Sequence, residues 1–93
     1  MSKINNTLQK RESKYGSFEE GARITQTLLN VLKTAPSYKA LDYQHLEAFH
    51  MIFHKISRCV CGNPNYIDNI HDIVGYALLL EDFLESKEEL NND

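Results

Sequence analysis

Apolar side chains recur along this chain at intervals of three and four residues, the spacing that places them on one face of an α-helix. Turn-forming residues divide this pattern into four segments. We predict helices over about residues 3–15, 18–35, 43–61 and 64–85, with the last extending further. The period-two alternation that is typical of strands is weak. The sequence therefore predicts an all-α fold, a compact bundle of three to four helices that is oligomeric.

Residues with capping chemistry stand at the predicted helix ends. Ser17 and Glu20 form a capping-box pattern, in which Ser17 caps the second helix and Glu20 reaches back to it. Asp42 is the predicted N-cap of the third helix. Asn63 can cap the fourth helix, and Pro64 suits its first position because proline has no N–H to leave unpaired there.

The second and third helices each carry an apolar face that we expect in the core. In the second helix this face contains Phe18, Ala22, Ile24, Leu28, Leu29, Val31 and Leu32. In the third helix it contains Leu46, Phe49, Ile52, Phe53, Ile56, Cys59 and Val60.

The fourth helix is apolar on two sides, and a helix of this kind is buried on two sides. The predicted core side contains Tyr66, Ile70, Ile73, Val74, Ala77, Leu80 and Leu84. The other side contains Gly75, Leu79 and Phe83, and we predict self-association through it because Gly75 permits the close approach of a neighbouring backbone. The alternative is that the first helix covers this side within the same chain.

Length and charge restrict the protein class. The 93 residues are expected to form a single domain (1–93), with a loosely packed helix over 1–16 and an acidic tail over 86–93. A net charge of −3 argues against a general nucleic-acid binder. No apolar run approaches the roughly 20 residues of a membrane span, and the first residues lack the form of a signal peptide, so a cytoplasmic location is predicted.

Basic and acidic side chains flank the Gly-Asn-Pro break between the last two helices. Lys55 and Arg58 precede the break, and Asp68 and Asp72 follow it. One interpretation is structural: the two helices run antiparallel, and these four charges pair across their ends where helix dipoles favour them.

The other interpretation is functional and makes these side chains part of a phosphate site. His50, His54, Lys55 and Arg58 would form a patch rich in hydrogen-bond donors, with Asp68 and Asp72 as orienting acids. Aromatic and basic residues elsewhere would complete a pocket for a nucleotide: Tyr66 and Tyr76 as a stacking surface, and Arg11, Tyr15 and Phe18 as a second wall.

A metal site is a further alternative. Glu47, His50, His54, Asp68 and Asp72 could act as ligands, and His50 and His54 have the spacing of two ligands on one helix face. Nearby cations would oppose a bound metal ion, so no metal or other cofactor is predicted in the preferred interpretation. Cys59 and Cys61 point to different sides of a helix, cannot form a disulfide with each other, and are expected to be reduced.

Three blocks, RESKYGSF, FHKISR and GNPNYIDNIHDIVGYALL, together resemble a group of small proteins encoded by bacteriophages and prophages, mostly of unassigned function. The resemblance covers about residues 11–84. It implies a helical fold and a viral context, and hence the cytoplasm of a host cell. The matching positions are Arg11, Tyr15, Gly16, Phe18, His54, Lys55, Ile56, Arg58, Gly62, Asn63, Pro64, Asp68, Asp72, Ile73, Gly75 and Tyr76.

The helical layout also distantly resembles the MazG-like all-α nucleotide pyrophosphohydrolases, which hold Mg²⁺ with Glu-x-x-Glu and Glu-x-x-Asp motifs. Here Glu47 and His50 stand in place of the first motif, and Asp68, His71 and Asp72 in place of the second. Histidine is a poor substitute for a carboxylate at a Mg²⁺ site. The resemblance therefore implies hydrolysis only weakly.

Together these features predict a phage-type accessory protein that binds a small anionic ligand, most simply a nucleotide, without turnover. Such a protein could act as a sponge for a host nucleotide immune signal. One alternative is a MazG-like, Mg²⁺-dependent nucleoside triphosphate pyrophosphohydrolase using Glu47, Asp68 and Asp72. Another is a structural or protein-inhibiting partner with an exposed apolar face around Leu79 and Phe83.

Overall fold

The computed structural model describes residues 2–92, with side chains from 5 to 91, and these residues form helices and turns without a strand. The helices are α1 (Ser2–Tyr15), α2 (Phe18–Leu32), α3 (Tyr43–Cys61) and α4 (Ile67–Asn92). A short 3₁₀ turn, Tyr38–Ala40, leads into α3. Helix α3 is central and packs against both α2 and α4, while α1 lies against α2 and α3. The predicted all-α bundle is confirmed.

The predicted caps of α2 and α3 stand at the observed helix ends. Ser17 has an extended backbone, and its side chain accepts a hydrogen bond from the N–H of Glu20 at 3.1 Å. The Glu20 carboxylate does not reach back as predicted, because it forms an ion pair with Arg23 at 3.0 Å. Asp42 directly precedes α3, and its N–H donates to Nδ1 of His45 at 3.1 Å.

The predicted start of α4 at Pro64 is wrong. The Asn63 side chain accepts from the N–H of Asn65 at 2.9 Å, and the Asn63 carbonyl accepts from Tyr66 at 3.1 Å. Asn63 thus stabilises a turn rather than a helix end, and α4 begins three residues after Pro64, at Ile67. At its other end α4 continues to Asn92, so the predicted acidic tail is helical over residues 86–92.

Two glycines bring the end of α1 against the end of α3. Gly16 has a φ of 80°, in the left-handed region, and ends α1. A Cβ atom placed on it would overlap the backbone carbonyl of Cys61, and one placed on Gly62 would overlap the carbonyl of Lys14. The N–H of Asn63 donates to the same Lys14 carbonyl at 3.0 Å. This contact, which we call the glycine junction, fixes the position of α1.

The centre of the fold is more polar than predicted. Among the described residues, Ala48 is the only buried apolar side chain, and Thr25, Ser57 and Asn69 are the buried polar ones. The hydroxyls of Thr25 and Ser57 lie 2.7 Å apart, and Ser57 also donates to the Phe53 carbonyl at 2.9 Å. Because α2 and α3 meet through these small hydroxyl residues, predicted core members at the edges of the two helices, Phe18, Val31 and Val60, are exposed.

Helix α4 presents a different side to α3 than predicted. The side chains shielded there include Asn69, Ile73, Tyr76, Leu80 and Phe83. The Phe83 ring meets His45 edge-on at 6.4 Å. Phe83, and Tyr76, which the sequence pattern also assigns to the outer side, are therefore wrongly placed by the prediction. So are four predicted core residues, which are exposed: Ile70, Val74, Ala77 and Leu84. The helix is rotated by roughly 70° from the predicted orientation, at about 100° per residue.

Candidate anion-binding site

A cleft of about 240 Å³ lies between α1, the start of α2 and the middle of α3. It brings together five of the residues predicted to bind a ligand: Arg11, Tyr15, His50, His54 and Arg58. The other lining residues are Leu8, Glu12, Gly16, Ser17, Phe18, Gly21, Ala22, Thr25, Gln26 and Ser57. Among the described lining residues, Glu12 is the single acid beside two arginines and two histidines.

The Tyr15 ring is in contact with both arginines of the cleft. The Cζ atom of Arg58 lies 4.1 Å from the centre of the Tyr15 ring, and that of Arg11 lies 5.3 Å from it. A guanidinium that stacks on a ring keeps the N–H groups at its edge free to bind phosphate or carboxylate. Within the described residues, ion pairs are formed by Arg23, Lys55 and Lys87, and not by these two arginines.

Tyr15 is itself supported by the turn before α4. The ring of Tyr66 meets it edge-on, with ring centres 5.8 Å apart, and Lys14 Nζ lies 5.4 Å from the centre of the Tyr66 ring. A hydrogen bond to the Asp68 carboxylate, together with burial, raises the pKa of Tyr66 to about 12. Asp68 therefore interacts with Tyr66, and within the described residues it forms no ion pair with Arg58 or His54.

His54 lies among positive charges. Burial lowers the pKa of His54, and the charges of Arg58, Lys55, His50 and Arg11 lower it further. The imidazole is therefore neutral near pH 7, because its ordinary pKa is already below that value and is lowered further here. Burial is the largest single cause of this shift, and the surrounding cations add to it because they disfavour a further positive charge and favour an anion.

Lys55 and Asp72 lie outside the cleft, contrary to prediction. Lys55 Nζ contacts the Asp72 carboxylate at 2.9 Å, and the Lys55 side chain is only 12% exposed. The hydrogen bond from Lys55 holds the pKa of Asp72 below its ordinary value. Here the structural interpretation is right: this pair joins α3 to α4. Tyr76 also lies away from the cleft, in a shallow groove of α4 beside His71 and Leu79.

The alternative metal ligands are not assembled. Over the described part of the chain, no three side chains of histidine, cysteine, aspartate or glutamate are grouped so that they could hold a metal ion. Glu47 borders a neighbouring hollow between α2 and α3, beside Leu29 and Tyr43, that shares Gln26 and His50 with the cleft. Asp72 is bound to Lys55. The Glu47, Asp68 and Asp72 set therefore does not form a Mg²⁺ site.

Sequence reasoning missed part of the apolar wall and the floor of the cleft. Phe18, which we expected both on the core face of the second helix and in a wall of the pocket, is 85% exposed at the rim. Leu8 and Ala22 add apolar surface, and the Thr25–Ser57 pair forms part of the lining. A signal for the last two exists in the sequence, since each hydroxyl residue interrupts the apolar positions of its helix.

Comparison with known proteins places the chain in a family without assigning it an activity. The model of a family described as a domain of unknown function, DUF6378, matches residues 1–84. The matched region contains every residue of the cleft and the first two thirds of α4. No curated protein and no solved structure matches the chain significantly. Within the described residues, no helix has both the length and the apolar character needed to cross a membrane.

Proposed function

The chain belongs to the DUF6378 family, a domain of unknown function, and we propose from its cleft that it binds a small phosphorylated ligand of the nucleotide class without converting it. The observation that carries this proposal is the pair of arginines that contact Tyr15 without an ion-pair partner. They stand beside His54, whose pKa is lowered by burial and then by the positive charges around it.

A phosphate group fits this arrangement because it can neutralise both arginines at once. Hydrogen bonds between guanidinium groups and phosphate are charge-assisted and stronger than neutral ones. Tyr15 restrains Arg58 and Arg11 before the ligand arrives, so less side-chain entropy is lost on binding. A bound anion would also raise the pKa of His54 and turn it into a further donor.

The aromatic rim favours a nucleotide over a bare phosphate. A cleft of about 240 Å³ is smaller than the roughly 300–1,000 Å³ of sites for drug-sized ligands, so part of a nucleotide must lie outside it. Phe18 stands at that opening with 85% of its surface exposed. A base stacked on such a ring contributes about 1–3 kcal/mol. We therefore assign the phosphate to the arginines and the base to Phe18.

Binding without turnover is proposed because the hydrolase alternative depends on Mg²⁺. The acids required for that alternative lie on different surfaces, with Glu47 bordering a neighbouring hollow and Asp72 bound to Lys55. A protein that holds a nucleotide intact lowers its free concentration. This is the sponge role, which combines the proposed ligand with the viral context that the resemblance to phage proteins implies. Both the viral context and the immune signal belong to this proposal.

The test is calorimetric titration with AMP, ADP, ATP and cyclic AMP. Arg58→Ala should weaken binding by about 10-fold to 150-fold, because a hydrogen bond to a charged group contributes roughly 1.5–3 kcal/mol. Arg23→Ala is the matched control, since Arg23 lies outside the cleft and pairs with Glu20 on the surface of α2. The affinity of the Arg23→Ala variant for these nucleotides should equal that of the unaltered chain. No binding in the panel, or equal losses in both variants, would overturn the proposal.

Phe18→Ala separates the base from the phosphate. It should weaken the binding of AMP but not that of inorganic pyrophosphate, because Phe18 contributes stacking and no charge. Equal effects on the two ligands would mean that the base does not stack on Phe18. Chromatography of each nucleotide after incubation with Mg²⁺ then distinguishes binding from hydrolysis: intact nucleotide supports the proposal, and conversion of a triphosphate to a monophosphate supports the MazG-like alternative.

A further inference from the structure

The isolated chain exposes more surface than a folded monomer of its size. Its accessible area is 7151 Å², whereas a compact protein of 10.8 kDa exposes about 5,500 Å². Its radius of gyration is 16.4 Å, against about 12 Å for a compact domain of this length. The surplus of about 1,600 Å² exceeds the roughly 800 Å² that one partner buries in an interface of standard size.

The surface that a compact domain would bury, and that this chain leaves exposed, is apolar. Ala48 is the only buried apolar side chain among the described residues. A domain of this size needs a hydrophobic core or oligomerisation to be stable, because hydrophobic burial is the main favourable contribution to folding. The apolar surface that is not covered within the chain is therefore available to complete the core.

This surface is concentrated on the side of α4 that faces away from α3. Ala77 and Leu84 are also exposed, but they border a hollow beside Phe49 and Ile52 of α3. We define the outer stripe as the exposed residues Ile67, Ile70, Val74 and Leu78. Ile67 is the most exposed of them, at 74%. Its members recur at the spacing of a helix–helix seam, mostly three and four residues apart. The predicted interface of Gly75, Leu79 and Phe83 is a different face, and Phe83 turns toward α3.

We propose that a second copy of this chain covers the outer stripe, with the two α4 helices antiparallel and a two-fold axis near residue 72. In this register Ile70 lies opposite Val74 of the partner subunit, and Ile67 lies opposite Leu78 of the partner subunit. A two-fold axis gives a closed, self-complementary interface, which is the commonest arrangement of soluble oligomers.

Charge determines the direction of pairing and the kind of partner. The second half of α4 carries acids that follow the stripe: Glu81, Asp82, Glu85, Glu88 and Glu89. Its cation Lys87 is already bound to Asp42 at 2.6 Å. Parallel helices would place two acidic segments side by side, whereas antiparallel helices separate them. The same acids repel an anionic membrane surface, which leaves a second copy as the occupant.

The cleft does not compete with this interface. Its lining residues belong to α1, α2, the turn between them and α3, and α4 contributes none of those described. The two proposals therefore fail independently. A monomer that binds nucleotide would overturn this inference alone, and a dimer that binds none would overturn the proposed function alone.

Two neighbouring leucines provide a matched test by sedimentation velocity. Leu78 is 58% exposed and lies on the outer stripe, where it also borders the groove of Gly75. Leu79 is 67% exposed and lies about 100° further round the helix, away from the stripe. The unaltered chain should sediment as a dimer of about 22 kDa, twice the 10.8 kDa of one chain. Leu78→Glu should raise the dissociation constant at least about tenfold, as expected for an interface centre, and Leu79→Glu should leave it unchanged.

A monomeric mass for the unaltered chain at all concentrations would overturn the proposal. So would dissociation by Leu79→Glu with an intact Leu78→Glu dimer, because the interface would then be the other face. Circular dichroism checks that each variant remains helical.

Disulfide cross-linking tests the direction without altering the stripe, so it holds even if Leu78→Glu fails to fold. In a background of Cys59→Ala and Cys61→Ala, His71→Cys places thiols beside the proposed axis. Glu85→Cys places them about 39 Å apart along antiparallel helices, at about 1.5 Å per residue. We expect a cross-linked dimer from His71→Cys and none from Glu85→Cys. Cross-linking through Glu85→Cys would overturn the antiparallel arrangement.

Discussion

The glycine junction predicts a large and specific loss of stability for Gly16→Ala. The left-handed backbone at this residue, with a φ of 80°, costs an alanine about 1–2 kcal/mol. The new Cβ would also overlap the backbone carbonyl of Cys61, which cannot rotate away as a side chain could. Relief of this overlap requires α1 and α3 to separate, which breaks the hydrogen bond from Asn63 to Lys14 at 3.0 Å, at a cost of about 1 kcal/mol. The expected loss in free energy of unfolding is about 3 kcal/mol.

Urea denaturation followed by circular dichroism measures this loss, at one protein concentration because self-association would otherwise change the apparent stability. Gly62→Ala separates the two contributions. Gly62 has a negative φ of −115°, but a Cβ atom on it would overlap the Lys14 backbone in the same way. Gly62→Ala should therefore lose less stability than Gly16→Ala, and the difference should equal the cost of the left-handed backbone.

Gly75→Ala is the control for glycine replacement itself. A Cβ atom there meets no neighbouring atom within 4 Å, and alanine is the better helix former, so this variant should gain about 0.5–1 kcal/mol. The reasoning would be refuted if Gly16→Ala lost less than about 1 kcal/mol beyond the cost of placing alanine in the left-handed region. It would mean that the junction relaxes freely and does not fix Tyr15 in the cleft.

Three further predictions concern protonation and the polar centre. Affinity for cyclic AMP should rise as the pH falls below about 7, because the bound anion raises the depressed pKa of His54. The phosphodiester of cyclic AMP does not titrate in this range. In calorimetric titrations, His54→Gln should abolish the rise. Thr25→Val should lower the free energy of unfolding by about 1–2 kcal/mol in urea, because it leaves Ser57 without one hydrogen bond, and Ser57→Ala added to it should cost little more. The Lys55–Asp72 pair contributes stability above the ordinary carboxyl pKa of 3.8. This contribution is lost as the pH falls through the lowered pKa that Asp72 has in the folded protein. The free energy of unfolding of Asp72→Asn should therefore depend less steeply on pH in this acidic range.

Features determined by neighbouring residues could be predicted from the sequence. The bounds of α3 follow from Asp42 and Gly62, because capping depends on a few adjacent groups. His50, His54 and Arg58 share one side of α3 because positions four residues apart on a helix lie nearly above one another. The structure places all three in the cleft.

Features determined by packing could not be predicted in this way. Lys55 follows His54 directly and was placed in the same patch, although a step of one residue turns it by about 100°, toward α4. The orientation of α4 was ambiguous because this helix is apolar on two sides. Asn69 shows why the pattern misleads: a polar side chain occupies its buried centre, and apolar ones remain exposed.

The charges of α3 divide between structure and binding according to whether the fold supplies an acid. Lys55 is shielded from solvent and has its carboxylate at 2.9 Å, which accounts for it fully as a link between helices. Arg58 follows Lys55 by less than one helical turn, and within the described residues it forms no ion pair with Asp68. That acid interacts with Tyr66 instead, and Tyr66 supports the ring on which Arg58 stacks. A scaffold would be better stabilised by pairing Arg58 with Asp68. This arrangement, in which the acid interacts with Tyr66 and the guanidinium of Arg58 has no ion-pair partner among the described residues, is the reason that we propose a phosphate ligand.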